Sequence, residues 1–141
     1  MKILKASAAL LLVTAIILSG CAAADTPTLN GTSWVMTTLG GQAVLADTTV
    51  TLIFEDGQLG GNDGCNLYGT TYQTQGSSLA IDTDKMMSTL MGCPEPVMEQ
   101  ASAFTTLLAR VESYRMNDDT LELLDGSGQV LATFEAQGEG G

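Results

Sequence analysis

A chain of 141 residues with five cations, 16 acidic residues and no histidine has room for one small domain and lacks the imidazole that most often serves as a catalytic base. The absence of histidine excludes Ser-His-Asp and Cys-His machinery, the commonest general base and the commonest zinc ligand. After Cys21 only Lys85, Arg110 and Arg115 oppose all 16 carboxylates, a formal charge of −13 that repels phosphate backbones, so no nucleic-acid partner is expected.

Lys2 and Lys5 open the chain, and Ala6 to Leu18 follow as an apolar run broken only by Ser7 and Thr14. A charged start with an apolar stretch too short to span a bilayer comfortably reads as a secretory signal over residues 1–20. The run ends Leu18-Ser19-Gly20-Cys21, which resembles the lipobox of bacterial lipoprotein precursors. That resemblance implies a diacylglyceride on the Cys21 thiol, cleavage before it, and acylation of the new amine, with palmitate among the chains. Two or three acyl chains would hold the protein stably to a membrane. Ala22, rather than Asp, implies the outer membrane if the source is Gram-negative. Residues 21–28, with Pro27, read as a lipidated tether.

The domain is expected over residues 29–135. Trp34 to Leu39 can form a first strand. Thr49 to Phe54 alternates, with Val50, Leu52 and Phe54 on one face. Asp56-Gly57 supplies a tight hairpin turn into Gln58-Leu59-Gly60. Leu67 to Gln73 and Leu79 to Ile81 form the next pair around Gln75-Gly76-Ser77-Ser78. A helix is predicted from about Pro96 to Val111, with Val97, Ala101, Phe104, Leu108 and Val111 on the packed stripe. Three strands follow, Ser113 to Met116, Leu121 to Leu124 and Val130 to Phe134, before a disordered tail from residue 136. The fold class is therefore α+β: about eight mostly antiparallel strands in a curved sheet, an open or cracked barrel, wrapped on one helix.

Cys65 and Cys93 are an even pair in a chain expected outside the cytoplasm, which reads as a disulfide; two unpaired buried thiols are the alternative. Two cysteines without histidine leave a tetrahedral metal short of ligands, so neither a metal nor another cofactor is expected.

The surroundings of these cysteines carry a resemblance. Leu29-Asn-Gly-Thr-Ser-Trp34 opens the domain, Gly61-Asn-Asp-Gly-Cys-Asn66 precedes Tyr68-Gly69, and Met87-Ser-Thr-Leu-Met-Gly-Cys93 precedes the helix. In this order they resemble the META domain, the HslJ-like family of heat-shock lipoproteins, from Leu29 to about Phe134. The resemblance implies a small envelope or secreted domain linked to stress tolerance, with no accepted enzymatic activity. Ala101 departs from it, because an acidic residue is expected there.

Asn62, Asp63 and Asn66 form the sharpest polar cluster, a surface or ligand loop if the side chains point outward and a turn if they bond their own backbone. Asp82-Thr83-Asp84 and Asn117-Asp118-Asp119 look like calcium-loop fragments but lack the rest of such a loop. Met86, Met87, Met91 and Met98 are expected to fill the core near the helix start, with an adaptable partner surface as the alternative. Trp34 and Tyr68 are expected in the core, and Glu95 and Glu99 fit a helix N-terminus. The sequence thus predicts a monomeric, non-enzymatic envelope lipoprotein that contacts the membrane and an unidentified envelope protein. The rival is a small module holding an apolar ligand, an acyl chain or drug, inside the barrel.

Overall fold

A computed structural model describes residues 27–138 and Gly20; the predicted signal, the Cys21 lipobox, the tether at 21–26 and the last residues, 139–141, lie outside the described residues. Among the described residues ten strands, one α-helix and a 3-10 turn (Thr83–Lys85) form: β1 (Thr32–Leu39), β2 (Gln42–Ala43), β3 (Thr51–Glu55), β4 (Gln58–Asn62), β5 (Leu67–Gln75), β6 (Ser78–Ile81), β7 (Met87–Ser88), α1 (Glu95–Leu108), β8 (Ser113–Met116), β9 (Thr120–Leu124) and β10 (Val130–Ala136). All pairings are antiparallel. The fold is α+β, as expected, and the barrel is closed. Eight strands run β1-β3-β4-β5-β6-β8-β9-β10, and β10 returns to β1 through pairs such as Trp34 with Ala136 and Leu39 with Ala132. The short β2 and β7 are additions on β1 and β5. Closure removes the unpaired edges that an open sheet would expose. Its thinnest seam is β6–β8, where Ser78 pairs with Ser113 and the Leu79 and Tyr114 N–H groups donate across it.

The eight barrel strands match the expected runs because alternation and turn chemistry are local. Val50, Leu52 and Phe54 are fully buried, and Ile53 between them faces out. Asp56 and Gly57 both take positive φ, 48° and 79°, the geometry that a two-residue hairpin turn needs. Pairing extends past the expected end, since the Gln137 N–H donates to the Ser33 carbonyl.

The helix is shorter than expected. It runs from Glu95 to Leu108, Pro96 lies in its first turn, and it ends when the Arg110 and Val111 N–H groups bond the Leu107 and Leu108 carbonyls. Val111 remains buried beyond the helix, because the chain turns straight into β8. The loops at one rim of the barrel all meet this helix. Cys65, between β4 and β5, is bonded to Cys93 just before it. Leu45 and Thr48, between β2 and β3, bond Gln100 on it, and Asp125, between β9 and β10, pairs with Arg110 after it. The helix therefore closes that rim, and Phe104 enters the barrel and meets Tyr68 edge to face at 5.5 Å. The chain enters at the other rim, where Thr32 pairs with Phe54, and buried Leu29 fills the interior.

Candidate functional site

The helix-bearing rim is assembled by the five residues 62–66. Two strands must end there and one sulfur must be aimed sideways, a task for Asx side chains and glycine. The Asn62 Oδ1 accepts the Gly64 N–H at 2.7 Å, and Gly64 takes a φ of +99°. The Asp63 Oδ1, on a residue only 4 % exposed, accepts the Cys65 and Asn66 N–H groups at 2.9 and 2.6 Å. The Asn66 Oδ1 accepts the Thr89 hydroxyl at 2.9 Å and the Met91 N–H at 2.7 Å, across to the loop before the helix. Asn62, Asp63 and Asn66 are thus brought together, with these oxygens committed to the protein's own backbone and to Thr89.

Cys65 and Cys93 form the disulfide, with Cα atoms 6.0 Å apart. The Met98 Sδ lies 3.7 Å from the Cys65 Sγ, and the Met91 carbonyl 3.6 Å from it. Beside them the Tyr68 hydroxyl donates to the Thr51 carbonyl at 2.7 Å. Burial, with a smaller contribution from the Asp63 charge, pushes the Tyr68 phenol far above its ordinary value, so it stays protonated and remains a donor.

Asn66→Ala removes the acceptor of two cross-loop bonds and leaves donors unpaired, an expected cost of about 1–3 kcal/mol. Amide exchange at Met91 should accelerate about tenfold or more, and unchanged protection would mean that the disulfide alone holds this loop.

The methionine expectation is corrected. Only Met86 packs against the core; Met87 is 77 % exposed, Met91 60 % and Met98 43 %. The bonds from Asn66 and the disulfide hold the 89–94 segment by its backbone on the outside of the rim, so its side chains face outward. Leu90 is 97 % exposed, and Leu67 and Leu45 are exposed as well. Six of the seven exposed large hydrophobic residues among those described, all except Ile53, therefore lie on or beside this rim. An open groove of about 1080 Å³ runs between the helix and the β2 hairpin, with Ala43 and Leu45 on one wall, Met98 and Ala103 on the other, and Glu95 and Glu99 among its lining.

Gln100 was not among the expected site residues. It is buried on the helix stripe, where its Oε1 accepts the Leu45 N–H at 2.8 Å and its Nε2 donates to the Thr48 hydroxyl at 3.0 Å. The signal was its position, three residues after Val97 and four before Phe104, a polar residue on an apolar stripe. Ala101 is also buried on that stripe, and Trp34 and Tyr68 belong to the core. Asp82 bridges Lys85 at 2.7 Å across a 3-10 turn, which holds the Asp82 carboxyl below its ordinary value. The Asn117 Oδ1 accepts the Asp119 and Thr120 N–H groups in the β8–β9 turn. Among the described residues no three His, Cys, Asp or Glu side chains are grouped to hold a metal ion.

The family described as META domain matches residues 27–138. No curated protein matches the chain significantly. Among solved structures, the NMR structure of a Burkholderia xenovorans protein is 21 % identical, with a TM-score of 0.65 over 79 % of this chain and 85 % of the other. A second NMR structure is 18 % identical, with a TM-score of 0.60 over 76 % and 90 %. The crystal structure of a DUF4847 family protein from Bacteroides vulgatus is 13 % identical, with a TM-score of 0.54 over 76 % and 93 %. At these identities the likeness is one of fold.

Proposed function

The chain belongs to the META domain family, and on that premise we propose a non-enzymatic, lipid-anchored domain of the cell envelope that aids stress tolerance through contact with envelope proteins. The observation that carries the reading is the concentration of exposed Leu and Met side chains at one rim of an otherwise well-packed barrel. Apolar surface gathered in one place, rather than scattered singly, marks an interaction site. The lipobox-like Leu18-Ser-Gly-Cys21 supplies the anchor, and Ala22 the outer-membrane address in a Gram-negative cell.

The rival, an apolar ligand inside the barrel, needs a dry interior cavity. Phe54, Phe104, Phe134, Leu108, Leu121 and Leu123 instead pack together in the core, and the groove beside the helix is open and external. That gives the rival no support.

Cells expressing the chain should incorporate labelled palmitate into it, and Cys21→Ser should abolish the label. Label retained in the variant refutes anchoring through this sulfur. A photo-crosslinking side chain at position 90 should then join the protein to an envelope protein in intact cells, whereas one at Asp118 on the opposite rim should not. Equal yields at the two positions would refute the contact surface.

A further inference from the structure

We propose that the helix-bearing rim is a receptor for a basic amphipathic helix presented by a partner protein. The proposal rests on the contact function above and names the chemistry of the partner.

Two features of the rim specify that chemistry. Its apolar lining includes Met98, Leu45, Ala43 and Leu107, and the exposed Met91 and Leu90 lie on the neighbouring loop that the disulfide ties to the helix start. Thioether side chains are unbranched and polarizable, so these two methionines repack around different apolar faces without a fixed jigsaw fit. Its border at the helix start is anionic. Residues 27–138 hold three cations, and each is in an ion pair: Lys85 with Asp82, Arg110 with Asp125 and Arg115 with Glu122. Glu95 and Glu99, exposed on the first turns of the helix, line one end of the groove and are in no ion pair among the described residues, whereas Arg110, which lines the groove beyond the helix's last residue, is paired with Asp125. An apolar trough bordered by uncompensated carboxylates complements a helix with Leu or Phe on one face and Lys or Arg along its flanks.

Charge disfavours the other occupants. A second copy would bring Glu95 and Glu99 against their own counterparts on an equally acidic domain. The anchoring bilayer is joined through the opposite rim, where β1 begins beside Phe54.

The probe is a fluorescent 16-residue Lys/Leu amphipathic peptide, titrated into the purified lipidated protein in phosphatidylcholine nanodiscs, with empty nanodiscs as reference. Binding should be saturable, and a Glu/Leu peptide of the same pattern should not bind. Glu95→Gln with Glu99→Gln, and separately Met91→Ser with Met98→Ser, should each weaken binding about tenfold. Asp118→Asn with Asp119→Asn, at the far rim, should leave it unchanged. Equal weakening by the far-rim pair would reduce the effect to general acidity and overturn the site, as would no effect from the first two pairs. A concentration-dependent dimer lost in the Met variant, or adsorption to empty nanodiscs that equals binding to loaded ones, would assign the rim to the other occupants. The intact mass of the purified protein reads the anchor separately; if it carries no lipid, the same titration runs in buffer and the rim stands or falls alone.

Discussion

Phe104→Ala should lower the unfolding free energy by about 3–5 kcal/mol, the cost of removing an aromatic ring from a core that cannot close around the void. Phe104 has no exposed surface and is the helix's deepest side chain in the barrel, with its ring against the edge of Tyr68. Little else on α1 can substitute for it, since Ala101 is small, Gln100 is held by Leu45 and Thr48, and Leu107 and Leu108 lie a turn further on. For a domain of this size each kcal/mol moves the midpoint by about 4 °C, so melting should fall by roughly 12–20 °C. Phe104→Leu keeps most of the buried surface and should cost less than about 1.5 kcal/mol. A drop below about 4 °C for the alanine variant would show that the helix does not depend on this ring for docking.

The second large effect is expected from the disulfide. Cys65 and Cys93 are separated by 28 residues, and chain entropy assigns a bridge across such a loop about 3–4 kcal/mol. The double variant Cys65→Ala/Cys93→Ala, which leaves no odd thiol, should melt roughly 12 °C or more below the parent. Its far-UV circular dichroism at room temperature should stay unchanged, because the loss acts mainly through the unfolded chain and the Asn66 bonds to the same loop survive. An unchanged midpoint would mean that the unfolded state gains nothing from losing the bridge. Reducing agent on the parent should reproduce the double variant and leave the double variant itself unmoved.

The parts of the molecule that were legible in advance are those governed by a few neighbouring residues. Most of the eight barrel strands are marked by an apolar or alternating run between turn residues, and β4, at Gln58-Leu59-Gly60, is marked only by the Asp56-Gly57 hairpin turn before it. The helix end was not legible. Val111 keeps the helical spacing of the apolar stripe, yet it is buried only because the chain folds back into β8. The two-residue strands β2 and β7 were also hidden, since neither carries a periodic signal and both exist only by pairing with β1 and β5. At the candidate site, Asn62, Asp63 and Asn66 were identifiable as a cluster, and the Asn62 and Asp63 oxygens bond N–H groups two or three residues on, but the Asn66 oxygen is oriented by Thr89 and Met91, more than 20 residues away. Met91 lies in a short irregular segment with no period to say which side is in, whereas Met98, on the helix, is next to Val97 of the packed stripe and faces off it.

Composition and local pattern alone determined an acidic, histidine-free chain with eight strand-forming runs, one helix and a cysteine pair available to bridge. Those properties depend on side-chain type and on backbone sterics over a few residues. Only the tertiary structure decided that the sheet closes, since β1 meets β10 about a hundred residues later. It alone decided that the helix covers one rim and that Leu90, Met91 and Met98 face outward there. These outcomes come from long-range register and from a loop pinned by its backbone, and neither leaves a periodic trace in the chain.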